Sequence, residues 1–168
     1  MIRVSTIQAE QTHALRRAVL RADHPDAPVV WDADEREDSF HLGGFVQDAL
    51  VGIATFQREA CPEPGIRALA EGAEEEMYRL RGMAVAPEYQ RQEIGSLMLA
   101  VGYDRLLRRG VPALWCQART GAVAFYLRNG WALFGERFQV EDVGEHAWMA
   151  VAVREHACPC GCGGTKPQ

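Results

Sequence analysis

No stretch of the chain stays apolar for the roughly 18 residues that a bilayer-spanning helix needs, so a membrane span is not expected. Basic residues are in the minority, 18 against 23 acidic ones, and the net charge is −5. A protein that grips nucleic acid regardless of sequence needs a basic surface, so that class is set aside too. The N-terminal MIRVSTIQAEQ lacks a basic region followed by an apolar stretch. That gives no sign of an export signal and makes the cytoplasm the expected compartment. Cysteine is sparse where a disulfide framework would spread it. Cys61 and Cys116 stand alone in the body of the chain, while Cys158, Cys160 and Cys162 crowd into the last eleven residues. What is present suits one globular domain. At 168 residues, 48% apolar and 24% charged, the chain can bury about two-thirds of its unfolded surface without staples.

Periodicity divides the chain. IRVSTI (2–7) alternates and is rich in β-branched residues, the pattern of a strand. Ala14, Leu15, Ala18, Val19 and Ala22 follow helical spacing. The segment DHPDAPVVWDADERED (23–38) is a long acidic loop with two prolines, and long loops in compact domains are often functional. SFHLGGFV (39–46) and LVGIATFQ (50–57) form a hairpin around Gln47, Asp48 and Ala49. Residues 59–76, with Pro62, Pro64, Gly65 and the acids Glu74, Glu75 and Glu76, read as a solvated excursion. MYRLRGMAV (77–85) is a strand ended by Pro87. Residues 94–109 make the clearest helix, with Ile94, Leu97, Met98, Val101, Leu106 and Leu107 as its apolar face and Gly110 as its stop. PALWCQ (112–117), a short helix over 121–128, WALFGERF (131–138) and HAWMAVAV (146–153) complete the order. Strand, helix, strand across 77–117 is a βαβ unit, so those two strands are expected to be parallel inside a mixed α/β sheet. The domain is expected to span 1–154, followed by a tail of 155–168.

In PEYQRQEIGSLML (87–99) a strand feeds a tight turn and then a helix. Unpaired N–H groups and the positive end of the helix dipole meet at such a point, which makes an anion site. The stretch MYRLRGMAVAPEYQRQEIGSLML, followed by ALWCQARTGAVAFYLRNGW, resembles the GNAT superfamily of acyl-CoA-dependent N-acyltransferases. The likeness covers 2–153 and is strongest from 77 to 131. It implies a mostly antiparallel sheet of about seven strands with helices on both faces, splayed at a central parallel pair. It implies acetyl-CoA as acyl donor, with the pyrophosphate on Gln90, Arg91, Gln92, Glu93, Ile94, Gly95 and Ser96. Met83, Ala84 and Val85 would run beside the pantetheine arm. Tyr126 matches the tyrosine that protonates the leaving thiolate, unless it is a packing residue. The sequence departs from the family pattern twice: Glu93 stands where a glycine is usual, and Gln117 where an asparagine is common.

The acceptor is expected to be a primary amine of a small molecule or a protein, attacking the thioester directly. An alternative is an acyl-CoA-binding module that has lost catalysis. Some members of the superfamily carry a carboxylate base on the strand that here holds Arg79 and Arg81. Without one, Glu76, His41 or a water is left as the base. Arg79 and Arg81 alternate onto one face with Met83, so Arg81 either attracts a substrate carboxylate or covers a neighbouring strand. Trp31, in the long loop, either closes over the acceptor or anchors that loop. His41 and His146 either line the acceptor side or are structural. Arg16 and Arg17 are expected in solvent, and Trp115 and Trp131 in the core. The tail HACPCGCGGTKPQ is similar to the first half of a SEC-C zinc motif, but no second ligand pair follows it. A mobile tail without bound metal is therefore expected. A monomer or a homodimer is consistent with all of this.

Overall fold

The computed structural model describes residues 1–154. The expectations for the tail lie outside the described residues. Strand β1 (Ile2–Ile7) is followed by α1 (residues 9–20), then β2 (Phe40–Val46), β3 (Ala49–Arg58) and α2 (Pro64–Arg67). Strand β4 (Tyr78–Val85), α3 (Ile94–Arg108), β5 (Ala113–Arg119), α4 (Val123–Arg128), β6 (Ala132–Val140) and β7 (Gly144–Ala152) follow. The seven strands make one sheet in the order β1-β2-β3-β4-β5-β7-β6. Only β4 and β5 run parallel, as a crossover through α3 requires. The hairpins β2–β3 and β6–β7 are antiparallel.

Helix α3 covers one face. Ile94, Met98, Leu99 and Leu106 pack on Phe40, Leu42, Phe56, Tyr78 and Leu80 in the largest core cluster. The buried stripe steps by four residues from Ile94 through Met98 and Gly102 to Leu106. Leu97 and Val101 therefore fall at its margin and are exposed, contrary to the apolar face read from periodicity. A second cluster holds Cys61, Ile66, Ala70 and Met77 against Ala113, Trp115 and Ala150. Residues 59–76 are thus not a solvated excursion. Pro64 starts α2, Glu63 caps it by accepting from the Ile66 N–H at 2.8 Å, and the turn drives Ile66 inward. Trp115 and Trp131 are buried, as their size suggests. A third cluster, Ile7, Ile53 and Ala84 with Leu15, Val19 and Leu20, seats α1 on the other face.

Two irregularities shape the centre of the sheet. Helix α1 ends in a π turn, Arg16–Leu20. Strand β4 carries a bulge: Ala84 pairs with Ile53 but Arg81 pairs with Thr55, and between them Gly82 adopts φ +61°. A side chain at that φ is strained, and a Cβ there would also stand 2.6 Å from the Trp31 ring. The extra residue reverses the alternation. Tyr78 and Leu80 face α3, and beyond the bulge so do Met83 and Val85, while Ala84 joins the α1 side. Arg81 stacks on Trp31 on that α1 side. Met83 and Arg81 therefore lie on opposite faces, not on the shared face that simple alternation predicts.

Candidate active site

The turn before α3 is built from left-handed backbone. Arg91 has φ 60° and Glu93 φ 64°, conformations in which a residue with a Cβ is disfavoured. Glu93 occupies the N-cap position, yet its carboxylate caps nothing. The first N–H groups of α3 have no partner within the helix and point out along the positive end of its dipole. The amide of Gln90 donates to the Val85 carbonyl at 3.0 Å and that of Gln92 to the Glu88 carbonyl at 3.2 Å, tying the turn to the end of β4. Gly95 allows close packing, since a Cβ there would lie 3.1 Å from the Phe125 ring and 3.2 Å from Met83 Cε.

This turn opens into a cavity of about 980 Å3. Strands β4 and β5 pair only at Tyr78–Leu114 and Arg79–Trp115, after which they part. From Arg81 onward the β5-facing edge of β4 borders open space, with N–H and C=O groups that no strand satisfies. The cavity runs through this gap. Val19, Leu20 and Trp31 line it from the α1 side, and Ile94, Gly95, Phe125 and Tyr126 from the α3 side. Its volume is in the range of sites for cofactor-sized ligands. Its charge is one-sided: Arg21, Arg79, Arg81, Arg91, Arg119 and Arg128 line it, against Glu93 as the single acid.

Tyr126, on α4, sits where the strands part. Its ring is buried between Phe125 and Trp131, at centroid distances of 5.2 and 4.9 Å. The hydroxyl donates to Met83 Sδ at 3.9 Å and contacts the Cys116 thiol. Burial, reinforced by Cys116, raises the phenol well above its ordinary value. Burial likewise pushes the Cys116 thiol up, so neither group ionises near neutral pH. On the opposite face the Trp31 ring is clamped between two guanidinium groups, Arg16 at 3.7 Å and Arg81 at 4.2 Å from its centre.

The sequence matches the model of the acetyltransferase (GNAT) family over residues 6–131. The chain belongs to this family. It is 34% identical over 154 residues to YitI of Bacillus subtilis (strain 168), described as an uncharacterized N-acetyltransferase. That alignment covers 92% of this chain and 98% of YitI. Among solved structures it resembles the ribosomal-protein-S18-alanine N-acetyltransferase of Escherichia coli, with TM-score 0.64, 20% identity and coverage of 91% and 94%. It also resembles the CoA-dependent acyl-homoserine lactone synthase BjaI, solved with SAM and isopentyl-CoA, with TM-score 0.69, 15% identity and coverage of 92% and 85%. These two likenesses are of fold. The mixed seven-stranded sheet with its parallel pair is the GNAT architecture, and the enzyme is an acyl-CoA-dependent acyltransferase.

Most residues singled out in the acetyltransferase sequence meet at the cavity. Met83, Ala84, Val85, Gln90, Arg91, Glu93, Ile94, Gly95, Ser96, Gln117, Tyr126, Trp31, Arg81 and His146 all line it. Gln92 is in the turn but outside the lining, its amide turned back to Glu88. Gln117 accepts from Arg79 at 2.9 Å, and Arg79 also pairs with Glu59 at 3.1 Å. Two candidates lie elsewhere. Glu76 is exposed and ion-paired with Arg58 at 2.6 Å, since the turn 74–76 carries it to the far end of β4. His41 is buried in β2, with Nδ1 2.8 Å from Thr55 Oγ1 and Nε2 3.0 Å from the Asp34 carbonyl. Neither is placed to serve as a base in the cavity.

Arg16 is the largest miss. Expected in solvent, it is fully buried. It grips Asp34 through two bonds, at 2.6 and 2.9 Å, and donates to Thr55 at 2.8 Å and to the Val29 carbonyl at 2.7 Å. Asp34 also accepts the Trp31 N–H at 3.0 Å. Although burial opposes it, the bonds from Arg16 and Trp31 hold the Asp34 carboxyl below its usual range. Together these bonds lash the loop 21–39 to the sheet and fix Trp31 at the cavity wall. An acid 18 residues downstream in an irregular loop leaves no periodic signal. The only hint was the loop's length.

Proposed function

We propose that the protein transfers an acetyl group from acetyl-CoA to a primary amine by direct attack. The observation that carries this reading is the position of Tyr126. It faces Met83 at the point where a cavity headed by the anion-binding turn of α3 passes between the parted strands. The backbone N–H groups of residues 91–96 would take the pyrophosphate. The pantetheine arm would lie along Met83, Ala84 and Val85, where an N–H on the free edge of β4 can polarise the thioester carbonyl. The amine would enter from the α1 side, under Trp31. As the tetrahedral intermediate collapses, Tyr126 would give its proton to the departing thiolate, a role suited to a phenol that stays protonated.

The amine must lose a proton to attack. His146 lines the cavity, and its Nδ1 is 2.9 Å from the Gly144 carbonyl. A carbonyl only accepts, so Nδ1 carries a hydrogen; in the neutral ring that leaves the lone pair on Nε2. We assign His146 Nε2, directly or through a water, as the base. The competing reading is an acyl-CoA-binding module without turnover, favoured by the lack of any lining carboxylate other than Glu93. Steady-state release of CoA thiol from acetyl-CoA with a panel of primary amines separates the two. Amine-dependent release supports transfer. Calorimetric binding of acetyl-CoA with no release supports the module.

A further inference from the structure

Among the arginines that line the cavity, Arg81 is held over an aromatic ring with no carboxylate among the described residues to answer it. Of the others, Arg79 is committed to Glu59 and Gln117, and Arg119 donates to the Leu20 carbonyl at 2.8 Å. The acids nearest to Arg81 are Asp34 and Glu59. Asp34 is taken by Arg16 and Glu59 by Arg79. Among the described residues no carboxylate lies within ion-pair reach of Arg81, whose one recorded partner is the face of Trp31. Burial, with Arg79 beside it, pulls its pKa down to about 10, so the unpaired charge is held against a real penalty. Trp31 cannot swing away to relieve it, because the Arg16–Asp34 pair fixes the loop and Arg16 covers the ring's other face. A planar guanidinium held over a fixed ring, on a residue that lines the cavity, is preorganised for a carboxylate.

Resting on the acetyltransferase reading, we propose that the acceptor is a small amine that also carries a carboxylate, an amino acid or close relative, and that Arg81 binds that carboxylate. The bulge at Gly82 is what makes the arrangement possible. It turns Met83 to the donor side while Arg81 stays on the acceptor side. The two positions are two residues apart on β4, so their Cα atoms lie at most about 7 Å apart. An anion held at Arg81 and an amine delivered to the transfer centre thus belong to one small molecule. The cationic lining of the cavity disfavours a simple polyamine relative to an amine that carries its own carboxylate.

The test is calorimetric titration of the CoA-saturated protein with N-acetyl derivatives of the common amino acids and with their carboxamides. These are product-like probes that need no turnover. At least one free acid is expected to bind about tenfold or more tightly than its amide, the scale of a charge-assisted hydrogen bond. Arg81→Met is expected to abolish that difference and Arg81→Lys to keep part of it, with CoA affinity unchanged in both. Amides binding as well as acids, no binding across the whole panel, or a preference that survives in Arg81→Met would each overturn the proposal. So would a parallel loss of CoA affinity, which would place Arg81 on the donor. Acid-selective binding without thiol release from any amine would keep Arg81 as a carboxylate site but remove the acetyltransferase reading, and with it the acceptor role.

Discussion

Cys116 and Tyr126 touch at the cavity wall, and burial acts on both in the same direction. A thiol pushed up out of the physiological range is a poor nucleophile, so a covalent acyl-cysteine is not the expected route. A phenol raised above its usual value remains a donor. Tyr126→Phe is expected to lower kcat by about 100-fold or more while the Kd for acetyl-CoA stays the same, the usual contribution of an acid–base group. Because the folded-state phenol titrates above its ordinary 10, no alkaline fall in kcat below about pH 10 should trace to it. An unchanged kcat in the variant would remove Tyr126 from the mechanism. Asp34 acts on stability instead. Its pKa is lower in the folded state than in the unfolded chain, so the stability it contributes is complete above about pH 4 and drains away as pH falls below that. Asp34→Asn leaves Arg16 buried without its counter-charge. It is expected to cost about 3 kcal/mol or more in denaturant unfolding, and to flatten that acid slope.

At the scale of elements, the turn before α3 is governed by backbone angle as well as charge. The sequence marks Glu93 only as a departure from a usual glycine. The structure shows a left-handed residue, which explains why a glycine suits the position and why the family pattern carries one there. Replacing it relieves about 1 kcal/mol of local strain and removes a negative charge from a phosphate site. Glycine's flexibility in the unfolded chain offsets part of the first gain. Calorimetry is therefore expected to show Glu93→Gly binding acetyl-CoA several-fold more tightly, with the electrostatic share of the gain shrinking in high salt. Weaker binding would mean that the glutamate orders the turn, although its side chain caps nothing in the free protein. Strand boundaries and order were legible because alternation and β-branched content mark strands directly. The bulge at Gly82 was not. A single extra residue reverses every later facing and leaves only a glycine behind, one among 16 in the chain. The π turn of α1 was hidden for the same reason, since a one-residue change of helical pitch does not disturb an apolar pattern of only five members, Ala14 to Ala22.

For the whole molecule, charge is partitioned. A chain of net charge −5 lines its cavity with six arginines against one glutamate. The cavity attracts the phosphates of the donor while the acidic exterior keeps other polyanions away, a contrast that composition alone reported only as a mild excess of acid. The candidate cofactor turn was readable because it is contiguous in sequence. The acceptor wall was only half readable, because Trp31, Arg81 and His146 come from three distant segments, and Glu76 and His41 were candidates only because the strand holding Arg79 and Arg81 carries no carboxylate. No helix among the described residues is long and apolar enough to cross a membrane. In the proposed mechanism, donor and acceptor reach one centre between the parted strands from opposite faces of the sheet. The most direct test is initial-rate kinetics with acetyl-CoA and an accepted amine both varied. Attack within a ternary complex predicts double-reciprocal lines that intersect; parallel lines, the signature of an acyl-enzyme formed before the amine arrives, would contradict it.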